Sequence, residues 1–321
     1  MYKGDKIFVA GHRGLVGSAI VRSLQAAGFE NVVTRSHSEL DLAEQQAVKT
    51  FFSQEKPRHL VLAAARVGGI LANETYPAEF ILENLRIQTN VTHQAYVQGV
   101  ESLLFLGSSC IYPRDCPQPI REEYFMTGPL ERTNSAYAVA KIAGVEMCHA
   151  YNRQYGTRYV CAMPTNLYGP GDNFNPQTSH ALAAMIRKFH EARMSKGPVV
   201  LWGTGVPRRE FLHVDDMADA CVHVITTPQT ELEWLFNDEH PPLINIGCGR
   251  DLTIKELAQL IADVVGYQGL VKWDLSKPDG TPRKLLDISR IRRLGWEPKI
   301  SLGDGIRQVS KWFQEIELGK R

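Results

Sequence analysis

The sequence predicts an α/β chain in which a doubly wound parallel sheet carries a second, smaller α/β domain. Three observations lead there. The β-prone run Lys6–Ala10 passes at once into a glycine-spaced turn, Gly11-His-Arg-Gly14-Leu-Val-Gly17, and then into a helical pattern that ends at Gly28. The run His59-Leu-Val-Leu-Ala-Ala-Ala65 is continuously apolar, as a parallel strand covered on both faces is. Strand-like and helix-like patterns then keep alternating to Met163, the rhythm of βαβ units.

Composition sets the bounds. A chain of 321 residues with 44% hydrophobic and 22% charged residues is an ordinary globular one, long enough for one large domain or two unequal ones. A formal net charge of +1 gives no reason to expect a nucleic-acid partner. No apolar run approaches the ~20 residues that span a bilayer, and no signal-peptide pattern opens the chain, so a soluble, cytoplasmic protein is expected. The six cysteines form no Cys-x-x-Cys pair, which points to neither a zinc site nor a disulfide framework.

The first strand, glycine turn and helix form the pattern of a Rossmann dinucleotide site. Glycines let backbone N–H groups approach a pyrophosphate at the positive end of the helix, and Gly17 lets helix and strand pack closely. After the second strand, Asn31–Thr34, an NAD site carries an acidic residue on the ribose. Here Arg35-Ser36-His37 stands instead, and a guanidinium suits the 2′-phosphate of NADP(H). Asp41 reads either as an adenine-side turn residue or as a cap for a helix over Ala43–Ser53. The third strand runs out into a glycine-bearing loop, Arg66–Asn73, at the carboxyl edge where ligands sit in such sheets. The helix predicted over Pro77–Gln98 is apolar on more than one face, so a homodimer is expected.

The fourth strand, Ser102–Gly107, delivers Ser108 at its carboxyl end, where a hydroxyl can hydrogen-bond a substrate oxygen. The next helix is predicted from Ser135 to Tyr155, stopped by Gly156. On it Tyr137 and Lys141 are four residues apart and share a face. The lysine charge is expected to favour phenolate and lower the tyrosine pKa from its usual ~10, so that the phenol hands a proton to a sugar oxygen at neutral pH.

The second half leaves the sheet after Arg158–Met163 through a turn-rich stretch, Pro164–Pro176. Asn166 there reads as a donor to phosphate or sugar, or as a turn residue. A helix is predicted over Ala181–Met194 and a short strand over Val199–Trp202, followed by a basic turn, Gly203–Phe211, and a helix capped at His213–Asp216. Trp202 and Arg209 either clamp a nucleotide diphosphate and its sugar or, for the tryptophan, fill core. Ile244–Gly247 and Leu270–Trp273 read as strands of the smaller sheet, around a helix over Thr253–Val265. The loop Lys277–Lys284 brings Asp279, Arg283 and Lys284 to close over the nucleotide. The division expected is residues 1–168 and 212–240 for the Rossmann domain, and 169–211 and 241–321 for the substrate domain, with the active site in the cleft between them.

A strand-end serine followed by tyrosine and lysine on the next helix resembles the extended short-chain dehydrogenase/reductases over the whole chain. Within them the likeness narrows. Gly11-His-Arg-Gly14, Ala64-Ala-Arg-Val-Gly-Gly69, Gly107-Ser-Ser-Cys-Ile-Tyr-Pro113, Met163-Pro-Thr-Asn-Leu-Tyr-Gly-Pro170, Arg209-Glu-Phe-Leu-His-Val-Asp215 and Lys277-Pro-Asp-Gly-Thr-Pro-Arg-Lys284 are similar to blocks of the NADPH-dependent enzymes that epimerise GDP-4-keto-6-deoxymannose at C3 and C5 and reduce it at C4. That resemblance implies Ser108, Tyr137 and Lys141 for reduction, and Cys110 with His180 for epimerisation. It implies NADP(H) contacts along Gly11, His12, Arg13, Gly14, Leu15, Val16 and Gly17. Further contacts are implied at Arg35, His37, Asp41, Leu42, Ala64, Leu106, Gly107, Lys141, Pro164, Thr165, Asn166, Leu167 and His180. A GDP-sugar would meet Ser109, Asn166, Lys188, Trp202, Arg209, Asp279, Arg283 and Lys284.

Chemistry fits that assignment of Cys110 and His180, since inverting a carbon beside a ketone needs a base on one face and an acid on the other. From the residues alone, Cys110 reads rather as a small buried hydrophobe and His180 as a helix N-terminal residue. Two other functions share these features: a nucleotide-sugar 4-epimerase or 4,6-dehydratase of the same fold, and a non-catalytic NADP-sensing module. Arg35 argues against the first, Cys110-Ile111 in place of an Asp-Glu pair against the dehydratase, and the intact Ser108, Tyr137 and Lys141 against the module.

Overall fold

A computed structural model describes residues 1–176, 178–277 and 279–318. Pro278, within the loop predicted over Lys277–Lys284, lies outside the described residues. The chain opens with β1 (Ile7–Ala10), α1 (Leu15–Ala26), β2 (Val32–Val33), α2 (Gln45–Glu55), β3 (His59–Leu62), α3 (Ile70–Thr75) and α4 (Pro77–Val97). It continues through β4 (Ser102–Leu106), α5 (Ser135–Tyr155), β5 (Tyr159–Pro164), β6 (Asn166–Tyr168), α6 (Ala181–Ser195), β7 (Val199–Trp202) and β8 (Arg208–His213). The remainder is α7 (Val214–Thr226), α8 (Gln229–Leu232), β9 (Leu243–Ile246), β10 (Asp251–Thr253), α9 (Ile254–Val265), β11 (Val271–Asp274), β12 (Arg283–Lys284), α10 (Ser289–Arg293) and α11 (Leu302–Trp312).

Six parallel strands form the main sheet in the order β2-β1-β3-β4-β5-β9. Its strands β1, β3 and β9 are buried along their whole length, because helices cover both faces. Ile7, Phe8, Phe52, Leu60, Phe105 and Ile244 pack one core. A second core joins Phe189, Leu257, Ile261, Ile306 and Phe313 from α6, α9 and α11 and the residue after it. None of the described helices is long and apolar enough to cross a membrane.

Two sequence expectations need correction here. Ile244–Gly247 was expected in the smaller sheet, yet Leu243–Ile246 pairs with β5 as the sixth main strand, in the register Cys161↔Leu243. Its polar residue, Asn245, is buried there, donating to the Ile120 carbonyl at 3.0 Å and accepting from the Tyr112 hydroxyl at 2.6 Å, partners that lie beside the main sheet. Leu286, Ile288, Ile291 and Trp296 return to the same core, so parts of 241–321 pack with the Rossmann half. Gly203–Phe211 was expected as a turn, but Arg208–His213 is a strand at the centre of the second sheet, flanked by β10 and β12 and paired with β6.

What makes β8 a strand is its middle residue. Glu210 is wholly buried, and its carboxylate accepts the N–H groups of Gly249 at 2.6 Å and Leu286 at 3.0 Å. A Cβ on Gly247 would lie 2.4 Å from Glu210 Oε1, so only glycine leaves room for this carboxylate. Burial raises its pKa, and the backbone donors oppose that rise. One buried charge thereby ties the second sheet to the end of β9 and to the segment after β12.

Candidate active site

The nucleotide end is built by glycines. Gly11 has φ of +90°, and a Cβ there would lie 2.6 Å from the Ala64 backbone nitrogen. A Cβ on Gly17 would lie 2.1 Å from the Gly11 carbonyl oxygen. Helix α1 begins at Leu15, three residues earlier than its apolar pattern indicates, with Gly14 as a cap that offers no side-chain acceptor. The first-turn N–H groups of α1 therefore face a cradle that any side chain would fill, which fits a dinucleotide pyrophosphate.

The residues expected around the adenosine are more engaged than the sequence implies. Arg35 pairs with Glu55, donates to the Thr34 carbonyl at 2.8 Å and lies 5.5 Å from the Phe51 ring centroid. Glu55 also holds Lys6 at 3.2 Å. Arg13 is exposed, and it and Arg35 together help hold the Glu39 carboxyl below its ordinary range, after the larger effect of hydrogen bonds from Ser36. His37 is exposed, 3.8 Å from Asp41. Asp41 accepts the Ala43 N–H at 2.9 Å in a local turn, and the residue that caps α2 is Glu44. His12, Leu15, Val16 and Ala64 are half-buried around the cradle, whereas Leu42, Leu106 and Gly107 are buried. Pro164 ends β5, and Asn166 donates to the Glu210 carbonyl at 2.8 Å while the Thr165 hydroxyl donates to it at 3.3 Å. Leu167 pairs with Leu212 in β8.

The residues expected to carry the chemistry meet where β4 ends and α5 begins. Ser108 caps a short turn by accepting the Cys110 N–H at 3.2 Å, and its hydroxyl also faces the Tyr137 phenol. Lys141 is buried, donates to the Leu106 carbonyl at 2.8 Å and sits 5.9 Å from the Tyr137 ring centroid. The expectation that Lys141 lowers the Tyr137 pKa is corrected by this geometry. Burial raises the phenol well above its ordinary value, with the neighbouring Cys110 adding to the rise and Ser108 opposing it. Burial also lowers Lys141, to about 8. A phenol so raised stays protonated at neutral pH, the form that has a proton to donate.

Beside it, Cys110 is half-buried and its sulfur accepts from Asn134 Nδ2 at 3.1 Å and Lys284 Nζ at 3.6 Å. Ser109, Cys110, Arg114, Glu131, Asn134 and Lys284 line one small cavity. Asn134 was missed by the sequence reading because an asparagine just before a helix reads as a cap. Its side chain makes no cap bond and turns to the sulfur instead.

His180 is not among that cavity's lining residues. It is exposed at the start of α6, beside the buried Asp172. Burial raises the Asp172 carboxyl, the nearby imidazole opposes the rise, and one carboxylate oxygen has no hydrogen-bond partner. The loop expected over Arg66–Asn73 ends at Gly69, where α3 begins, and the segment before His180 rests on it through Gly69 N–H to the Thr178 carbonyl, 3.4 Å.

Among the expected sugar-side residues, Trp202 is 56% exposed, which removes its core reading, and Lys277 lies 5.5 Å from its ring centroid. Lys188 donates to the Val200 carbonyl at 2.8 Å. Arg209 is lowered by burial, against the opposing charges of Asp279 and Glu131. Asp279 accepts the N–H and hydroxyl of Thr204, each at 2.7 Å. Arg283 is ion-paired with Asp251, which Arg208 shares.

Residues 7–247 match the NAD dependent epimerase/dehydratase family. The chain is 58% identical over 312 residues to GDP-L-fucose synthase 1 of Arabidopsis thaliana, covering 97% of this chain and 94% of that one. It is 54% identical over 314 residues to the GDP-L-fucose synthase of Escherichia coli K12, covering 97% of each. A solved GDP-mannoheptose C4 reductase from Campylobacter jejuni with NADP bound, MlghC, superposes with a TM-score of 0.87 at 37% identity, over 98% of this chain and 99% of that one. With its glycine cradle, its six-stranded parallel sheet and its Ser108, Tyr137 and Lys141 in place, the chain belongs to the NAD dependent epimerase/dehydratase family, among the GDP-L-fucose synthases.

Proposed function

We infer that the protein converts GDP-4-keto-6-deoxy-D-mannose to GDP-L-fucose with NADPH, by epimerisation at C3 and C5 followed by reduction of the C4 ketone. The observation that carries this is that Ser108 and Cys110 share one turn, where two sets of groups converge. Ser108 and Tyr137 suit a carbonyl oxygen, while Cys110, with donors from Asn134 and Lys284, stands next to them. A plain C4 reductase needs only the first set.

In this reading Ser108 and Tyr137 hydrogen-bond the C4 oxygen, which acidifies the hydrogens at C3 and C5. Cys110 is the base, because the donors around its sulfur complement a thiolate. His180 is the acid, because it starts α6 and stands apart from the turn that carries Cys110. The C–H bond breaks, Cys110 takes the proton, the electron pair moves onto the C4 oxygen, and His180 returns a proton from the opposite face. NADPH, when bound, supplies hydride to C4. Tyr137 then protonates the resulting oxyanion, and Lys141 places positive charge beneath it. Arg209, Lys188 and Trp202 are proposed to hold the diphosphate and sugar.

The substrate assignment is tested by following NADPH oxidation against GDP-4-keto-6-deoxymannose and its uridine and thymidine counterparts. Turnover confined to the guanine nucleotide supports it; equal turnover of all three contradicts it.

Arg35 is proposed to reach the 2′-phosphate by exchanging Glu55 for it. Arg35→Ala should cost NADPH about 1.5 kcal/mol of affinity, the lower end for a charge-assisted contact because leaving Glu55 offsets part of the gain. NADH should lose little. Equal losses in titrations with the two cofactors would contradict the assignment.

A homodimer and a cytoplasmic location belong to the same reading. All six cysteines are free, in keeping with a reducing compartment. Helices α4 and α5 lie side by side and expose Leu82, Val97, Val139 and Tyr155, with Tyr96 stacked on Tyr155 at 4.1 Å. An apolar face of two helices matches a second copy of itself about a two-fold axis. Sedimentation should give twice the 36.0 kDa chain mass; a monomer at micromolar concentration contradicts it.

A further inference from the structure

We propose that Lys284 is a positioning residue of the epimerisation chemistry: with Asn134 it holds Cys110 as the thiolate that takes the proton from C3 and C5. The inference rests on the reading of Cys110 as the base and adds the groups that keep it one.

The charges around Lys284 point to the sulfur. Its strand neighbour Arg283 is paired with Asp251, and Arg208 on β8 shares the same carboxylate. Arg209, opposite Lys284 in the β8 register, lies with Asp279 and Glu131. Lys284 has no carboxylate partner among the described residues, and its ammonium meets Cys110 Sγ at 3.6 Å. Asn134 Nδ2 meets the same sulfur at 3.1 Å, while its side-chain oxygen is buried without a partner. A cation and an amide N–H converging on one sulfur complement negative charge there, and a thiol has only one proton to offer in return.

The lysine is also held in place. Leu285 N–H donates to Gln118 Oε1 at 2.9 Å, Ile120 N–H to the Leu285 carbonyl at 2.7 Å, and Asp287 N–H to the Ile120 carbonyl at 2.8 Å. Leu286 N–H is fixed by Glu210 at 3.0 Å. The stretch after Cys110 and the strand bearing Lys284 are thereby bound as a pair, which sets the sulfur and ammonium at reach before substrate arrives. In each epimerisation the C–H bond breaks, its proton passes to Sγ, and its electron pair moves onto the C4 oxygen. His180 protonates the carbon from the other face; Cys110 then gives up its proton to water and His180 regains one.

Alkylation of Cys110 by iodoacetamide reads the thiolate without any substrate, followed on the Cys110 peptide by mass spectrometry in the full-length enzyme. Near neutral pH, Lys284→Gln should slow it about 10-fold, and Lys284→Arg should restore it to within about 3-fold. Wash-in of deuterium at C3 and C5 should fall and recover in parallel, in kcat more than in KM. Asn134→Ala, which leaves β12 untouched, should slow alkylation in the same direction and keeps the test open if Lys284→Gln does not fold. Wild-type alkylation in Lys284→Gln overturns the proposal, as does slowed wash-in with unchanged alkylation, which would make Lys284 a substrate contact. If Cys110→Ser itself washes in deuterium at the wild-type rate, the underlying reading of Cys110 as base fails instead.

Discussion

Tyr137→Phe is expected to lower turnover on the order of 10²-fold or more, the loss that follows removal of a general acid, while the ring keeps its packing. Phe80 meets the Tyr137 ring edge-on with centroids 6.4 Å apart, a contact that phenylalanine preserves. The structure alters the usual reasoning about the pH dependence. Because burial raises the phenol, its own titration falls above the working range, and the group that titrates close by is Lys141, lowered to about 8. Lys141 is charged below that value and neutral above it. The rate of reduction should therefore fall as pH rises through about 8, and Lys141→Arg, which stays charged, should remove that limb where it still turns over. Near-normal NADPH oxidation by Tyr137→Phe, measured by absorbance, would show that another group protonates C4.

The second large effect concerns epimerisation. Cys110→Ser and His180→Gln should each slow exchange of the C3 and C5 hydrogens with D₂O on the order of 10²-fold, and Cys110→Ser should keep NADPH affinity near that of the wild type. The two variants probe separate elements, since Cys110 lies on the turn after β4 and His180 starts α6. The sequence offers both residues plain structural readings. The chemical reading proposed for Cys110 rests on the donors at its sulfur, Asn134 and Lys284. NMR of the sugar protons follows both positions at once. Wild-type exchange in both variants would remove this pair from the mechanism.

Much of the frame was legible in order along the chain because it is encoded locally. Helix α5 runs from Ser135 to Tyr155 and stops where Gly156 takes φ of +68°, as its pattern and final glycine indicate. Helix α9 begins at a capping box of Thr253 and Glu256. The glycine cradle follows from spacing, since each Cβ it excludes would strike backbone. What could not be read depends on distant partners. The Arg208-Arg209-Glu210 stretch looks like a solvated turn until Gly249 and Leu286 supply the N–H groups that bury Glu210. Strand β9 has no local mark that assigns it to one sheet over the other. Cys110 and Lys284 are 174 residues apart, so their meeting was not deducible from either segment. The tyrosine pKa was misjudged for a related reason: helical spacing reveals the lysine charge and not the burial that outweighs it.

One reaction tests the central claim, that a single turn serves both epimerisation and reduction. The wild-type enzyme, NADPH and GDP-4-keto-6-deoxymannose are mixed in D₂O, and the product sugar is examined by NMR. The account predicts one NADPH consumed per GDP-L-fucose, with deuterium at C3 and C5 and both centres inverted. A C4-reduced product that retains protium and the original configuration at C3 and C5 would contradict it.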